Sequence, residues 1–191
     1  DCLSDINLFE MAAAHKRSGA LATIAVKPSD APFRYGVVKT DNSGRVRSFL
    51  EKPQNAAKGS LVNLGTYVVD RKALDLAPAN RFFDFSRDLF PLLIRKGLLS
   101  AYRYDGYWSD LGDIKSYYEA SKEFLTEDVS REIFKSDRKI FTKDKSQAPT
   151  MYGENAEVKG SFIATGCQID GTVEDSTLFR KVKIGKGSII R

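Results

Sequence analysis

The chain is poor in the residues that carry histidine or thiol chemistry: of 191 residues, one is histidine and two are cysteine. His15 lies on an apparent helix beside Lys16 and Arg17 and reads as a surface residue, so histidine acid–base catalysis is not expected. Cys2 and Cys167 stand far apart without metal-ligand spacing, and are expected as free thiols in a reducing cytoplasm. No apolar run approaches the roughly 20 residues that span a bilayer, and the opening residues do not read as a signal peptide, so no membrane partner is expected. The net charge of +5 comes from scattered Lys and Arg. No basic block interleaved with aromatics exists, so nucleic acid is not an expected partner either. With 42% hydrophobic and 29% charged residues, the composition is that of a soluble globular chain. Its length can form one substantial domain and a smaller one.

The most informative stretch is Phe49-Leu50-Glu51-Lys52-Pro53, preceded by Tyr35-Gly36-Val37-Val38 and followed by Asn63-Leu64-Gly65-Thr66-Tyr67. Thr40-Asp41-Asn42-Ser43-Gly44-Arg45-Val46 between the first two reads as a hairpin turn. Pro53 cannot donate to a ladder, so pairing is expected to stop there, leaving Glu51 and Lys52 at a strand end. A lysine is a mobile point charge suited to phosphate, and a carboxylate accepts hydrogen bonds from hydroxyls. The two together could hold a sugar phosphate; taken alone, they also read as an exposed ion pair closing a hairpin.

A helix is expected over Leu8–Ser18 with Asn7 as cap and Gly19 as stop, and a buried strand over Ala20–Val26. Pro28–Pro32 reads as a loop, Leu61–Val69 as a strand and Arg71–Leu76 as a helical turn. Phe85–Lys96 reads as an amphipathic helix in which Pro91 requires a local adjustment. After a strand over Ser100–Tyr104 comes Tyr107-Trp108-Ser109-Asp110-Leu111-Gly112-Asp113, a turn ahead of a helix over Ile114–Leu125. On that helix Tyr117, Tyr118, Ala120, Ser121 and Phe124 are expected to share a packed face. Strands alternating with helices indicate an α/β fold. Asp110 sits where such folds present ligand-binding groups, although it and Asp113 also suit helix capping. If Asp1 ends a strand, it is a second acid at such an edge, and two converging carboxylates suit a magnesium ion.

From Thr126 to Pro149 the chain reads as a linker, with one short strand at Lys139-Ile140-Phe141. Beyond Tyr152, apolar residues recur every six positions (Ile163 and Ile169; Cys167, Val173 and Phe179; Leu178, Ile184 and Ile190), separated by glycine and small polar residues. That period is the hexapeptide signature of a parallel β-helix; a β-meander is the plainer alternative.

In order and spacing these segments resemble the sugar-1-phosphate nucleotidyltransferases, or NDP-sugar pyrophosphorylases. Asp1-Cys2-Leu3-Ser4-Asp5, Gly19–Ile24, Tyr35-Gly36-Val37-Val38, Phe49-Leu50-Glu51-Lys52-Pro53, Asn63–Tyr67 and Tyr107-Trp108-Ser109-Asp110-Leu111-Gly112 carry the resemblance. Asp84-Phe85-Ser86-Arg87-Asp88, Ala148-Pro149-Thr150 and Gly171–Ser176 look most like the ADP-glucose pyrophosphorylase branch. The resemblance implies a Rossmann-like nucleotidyltransferase portion over 1–125, a linker over 126–150 and the start of a left-handed β-helix over 151–191. It implies ADP-glucose and pyrophosphate made from ATP and glucose-1-phosphate, in glycogen or starch synthesis, by a cytoplasmic homo- or hetero-oligomer, commonly a tetramer. Lys52 would bind the sugar phosphate and Glu51 the sugar hydroxyls, while Gly36 would offer its backbone. Asn63, Gly65 and Asp84 would complete the substrate site, and Asp1 and Asp110 would hold a catalytic Mg²⁺. Asn63 departs from the Ser usual in glucose-specific adenylyl members and resembles mannose-1-phosphate guanylyltransferases, so mannose-1-phosphate with GTP is an alternative. A regulatory subunit without catalysis is another. The family's glycine-rich nucleotide loop is not in this sequence. With the abrupt opening at Asp1, that leads to the expectation of a fragment that does not turn over alone.

Overall fold

The computed structural model describes residues 2–78, 81–134 and 146–191. They divide into two compact units, one of Cys2 and Ser4–Trp108, the other of Leu3 and Ser109–Arg191.

The short strand β1 (Cys2–Ser4) leads to helix α1 (Leu8–Ser18) of the first unit. Asn7 accepts the backbone N–H groups of Phe9 and Glu10, and Gly19 closes the helix at φ 61°. His15 lies one turn after Met11 on the same helical face and is buried with it; its Nδ1 is 2.9 Å from Thr23 Oγ1. The surface placement expected for His15 is therefore corrected: its neighbours Lys16 and Arg17 are exposed, but the helical period turns the imidazole toward the sheet.

The sheet contains β2 (Ala22–Ser29), β3 (Gly36–Thr40), β4 (Val46–Glu51), β5 (Ser60–Val69) and β6 (Leu99–Arg103), in spatial order β4-β3-β5-β2-β6. Only β2 and β6 run parallel. β2 is buried along Ala22–Val26, as its unbroken apolar run requires. It continues through Pro28 to Ser29, where a loop was expected, and Pro32–Arg34 forms a 3₁₀ turn. The described β2–β6 ladder ends at Val26 and Arg103, so Pro28 interrupts no pairing on that side.

Helix α2 (Arg71–Leu74) is capped by Asp70. Next, Phe85–Leu89 winds as a π-helix before helix α3 (Phe90–Arg95). Phe90 N–H bonds to Phe85 O, and Pro91 falls in the first turn of α3, where its missing N–H is least costly. This is the adjustment that Pro91 demanded. The core joins Ile24, Val26, Val38, Val46, Leu89, Phe90, Leu93 and Leu99.

The second unit begins within strand β7 (Trp108–Asp110), followed by helix α4 (Ile114–Glu123) capped by Asp113. Ser116 and Ala120 are buried. Tyr117, Ala120, Ser121 and Phe124 line an apolar cavity of about 380 Å³, but Tyr117 and Tyr118 are both exposed, so the expected packed face is narrower than the sequence suggested. Helix α5 (Glu127–Ile133), tied by the Glu127–Arg131 pair and by buried Ile133, occupies what was expected to be linker. At seven residues it is too short for a helical period to show. The strand expected at Lys139-Ile140-Phe141 lies outside the described residues.

Eight short strands follow: β8 (Met151–Tyr152), β9 (Glu157–Lys159), β10 (Phe162–Ile163), β11 (Gln168–Ile169), β12 (Thr172–Glu174), β13 (Thr177–Leu178), β14 (Lys183–Ile184) and β15 (Ile189–Ile190). They form three parallel sheets, β14-β11-β8, β15-β12-β9 and β10-β13. Met151 pairs with Gln168, and Gln168 with Lys183; Glu157 pairs with Thr172, and Thr172 with Ile189. The chain thus returns to the same sheet after every three strands, which excludes an antiparallel meander. Cys167, Ile169, Val173, Leu178 and Ile184 meet in one core. Cys167 is a buried free thiol and Cys2 an exposed one.

Candidate functional site

The hairpin turn is held by one carboxylate. Asp41 Oδ1 accepts the N–H groups of Ser43 and Arg45 and the Ser43 hydroxyl, while Oδ2 faces Arg47 at 2.7 Å. This turn fixes the β3–β4 register, in which Gly36 pairs with Glu51. Val37 pairs with Val62 on the other side, so one further step sets Asn63 of β5 level with Gly36. A row across the sheet thus carries Glu51, Gly36 and Asn63.

Gly36 is buried, and a Cβ there would lie 2.5 Å from Phe49 Cζ. The Phe49 ring crosses the space left by the absent side chain and packs on Phe90, with ring centroids 5.4 Å apart. β4 stops at Glu51, ahead of Pro53. Lys52 then turns out of the strand at φ 46°, a left-handed conformation uncommon for lysine, with its N–H donated to Tyr35 O at 3.0 Å. Glu51 and Lys52 are both exposed, and among the described residues neither has an ion-pair partner. The hairpin ends in two uncommitted opposite charges, which the ion-pair alternative does not describe.

Strand β5 departs from its ladder next to this row. Tyr67 pairs with Ile24 and Asn63 with Val26, so Leu64-Gly65-Thr66 bulges against Ala25. Gly65 adopts φ 76°, and Asn63 Oδ1 accepts its N–H at 3.1 Å. Asn63 Nδ2 donates to the Tyr67 hydroxyl at 2.8 Å. Leu64 O accepts the indole N–H of Trp108 at 3.1 Å, and the Trp108 ring meets Tyr35 edge-on at 5.2 Å.

Burial pushes the Tyr67 phenol above its ordinary pKa, and the nearby Glu51, Asp84 and Cys2 groups push in the same direction, while the Asn63 hydrogen bond opposes them. Glu51 and Asp84 therefore share the neighbourhood of Tyr67. Asp84 also caps the π-helix: its Oδ1 accepts Arg87 N–H at 2.8 Å, and its own N–H goes to Asp88 Oδ2 at 2.8 Å. The fold brings Gly36, Glu51, Lys52, Asn63, Gly65 and Asp84 to one region of the first unit. The Tyr67 hydroxyl belongs there too. Tyr67 had no role in the sequence reading; it is an aromatic with a polar atom inside the apolar run Leu61–Val69, which is the signal that marks it.

Asp110 belongs to the second unit. Its Oδ1 accepts Gly112 N–H at 3.2 Å, and a Cβ on Gly112 would come within 3.2 Å of that oxygen. Asp113, not Asp110, caps α4. Asp110 thus keeps its second carboxylate oxygen without a partner among the described residues, a hard donor suited to a divalent cation. No group of three His, Cys, Asp or Glu side chains that could hold a metal occurs among the described residues. Asp1 lies outside the described residues. Among those residues, no helix is long and apolar enough to cross a membrane.

A family model described as nucleotidyl transferase matches residues 1–127. A curated protein named glucose-1-phosphate adenylyltransferase from Desulfitobacterium hafniense (strain DSM 10664 / DCB-2) is 34% identical over 200 residues, covering 100% of this chain and 50% of the relative. Proteins of the same name from Thermosipho africanus (strain TCF52B) and Geobacillus stearothermophilus are 36% and 32% identical, covering 93% and 92% of this chain. The chain spans about half the length of the curated relatives it matches.

Proposed function

The chain belongs to the nucleotidyl transferase family, and on that premise we propose that it carries the sugar-phosphate site of an enzyme making ADP-glucose and pyrophosphate from ATP and glucose-1-phosphate. The observation that carries this reading is the row of Glu51, Gly36 and Asn63 with exposed Lys52 beside it, without an ion-pair partner among the described residues. Lys52 places a point charge on the sugar phosphate, Glu51 accepts from sugar hydroxyls, and Asp84 lies where it can do the same. Gly36, whose missing side chain leaves room for the Phe49 ring, offers its backbone to the sugar, and Gly65 shapes the β5 bulge.

In the reaction, a phosphate oxygen of the sugar-1-phosphate forms a bond to the α-phosphorus of the nucleotide, and the bond from that phosphorus to pyrophosphate breaks. No covalent protein intermediate is needed; positioning and charge neutralisation supply the catalysis. Lys52 holds the nucleophile, and Asp110 with Asp1 would hold a Mg²⁺ that neutralises phosphate charge. We further take 1–125 as the sugar-phosphate part, 126–150 as the connection and 151–191 as the start of a left-handed parallel β-helix. The threefold return of its parallel strands supports that assignment. A cytoplasmic oligomer is part of the same reading.

Asn63 favours a second reading, transfer of a guanylyl group to mannose-1-phosphate, because its carboxamide replaces the hydroxyl side chain usual in glucose-specific members. The test of the site is Lys52→Ala in the full-length protein that contains this chain. Loss of a charge-assisted phosphate contact is expected to raise the KM for sugar phosphate about 10- to 100-fold, while the KM for nucleotide changes less than about twofold. An unchanged sugar-phosphate KM contradicts the role given to Lys52.

A further inference from the structure

Asn63 is oriented by the bulge it spans. Its Oδ1 accepts the Gly65 N–H, so the side of the carboxamide facing Tyr67 is the amide nitrogen; turning the group over would set two donors against each other. The Tyr67 hydroxyl therefore receives a hydrogen bond from Asn63. A phenol carries one proton, and among the described residues no acceptor for it is present. That proton is left for a bound group, in the neighbourhood that Glu51 and Asp84 share. The acceptor of Asn63 and one of its two N–H donors are spent inside the bulge. A serine at the same position is too short to meet both Gly65 N–H and the Tyr67 hydroxyl.

We propose that Asn63 is a positioning residue that fixes the Tyr67 hydroxyl as an outward-facing donor to the bound sugar phosphate, rather than a group that touches the sugar itself. This rests on the sugar-phosphate reading of the site. It gives a physical account of the unusual carboxamide: the side chain serves the tyrosine, and so does not by itself select mannose over glucose.

The test compares Asn63→Ser, Asn63→Ala, Tyr67→Phe and the double variant Asn63→Ser/Tyr67→Phe, all in the full-length protein. Asn63→Ser is expected to raise the sugar-phosphate KM about three- to tenfold with kcat within about twofold, the scale of one misplaced hydrogen bond. Added to Tyr67→Phe, it is expected to change KM less than about twofold, because the group it acts through is gone. Factors that multiply overturn the proposal, since they require Asn63 to contact the sugar independently. A second arm needs no substrate: ultraviolet titration of the phenols, with Tyr67→Phe identifying the Tyr67 component. Removing the Asn63 donor destabilises the phenolate, so the Tyr67 midpoint is expected to move to higher pH in Asn63→Ser and Asn63→Ala. An unmoved midpoint in folded variants overturns the proposal. If the unaltered protein is saturated by neither glucose-1-phosphate nor mannose-1-phosphate, the substrate reading falls and takes this role with it. Saturation with multiplying factors removes the role alone.

Discussion

Asp41 holds the β3–β4 turn through hydrogen bonds from Ser43 and Arg45 and a contact with Arg47, which lower its pKa to about 2 from an ordinary 3.8. The folded value is the lower one, so the carboxylate stabilises the folded chain above the unfolded pKa. That contribution is lost as pH falls from about 4 toward about 2. NMR titration of the Asp41 carboxyl is expected to give a midpoint near 2, and Asp41→Asn to remove this part of the acid dependence of stability. A midpoint near 4 would mean that the turn is not fastened this way. The residue matters for function because the turn sets the register that pairs Gly36 with Glu51.

Among the elements, the β3–β4 hairpin and the β5 bulge do most to shape the candidate site. Gly36→Ala puts a methyl group against the Phe49 ring, and Phe49 is itself packed on Phe90. The expected cost is about 1–3 kcal/mol of stability, as for other overpacked cores, with a weaker affinity for sugar phosphate. Denaturant unfolding checks the first and KM the second; a neutral substitution would show that Phe49 moves aside freely. The hairpin was legible in the sequence because Asp, Asn and Gly lie between two apolar runs and Pro53 ends the second. Helix α1 was legible from its cap and its stop. The β5 bulge was not, because a bulge is a mismatch between two strands and only the β2 partner reveals it. The same limit hid the Asn63–Tyr67 bond, which needs the bulge to bring two residues of one strand together. His15 was misread because its charged neighbours outweighed the four-residue step from Met11. Helix α5 was missed because one or two turns carry no period.

On the scale of the whole molecule, family membership and the candidate site rest on different observations. The family match comes from sequence over residues 1–127, and the site comes from a register that brings Gly36, Glu51 and Asn63 into one row. The most direct measurement is pyrophosphate release by the full-length protein containing this chain, with Mg²⁺, crossing ATP, GTP, UTP and dTTP with glucose-1-phosphate and mannose-1-phosphate. The account predicts turnover with ATP and glucose-1-phosphate above every other pair. Preferred turnover of mannose-1-phosphate with GTP would contradict the substrate assignment and return Asn63 to the role of sugar selector. Silence in every pair from a folded protein would contradict the catalytic account and favour a regulatory subunit.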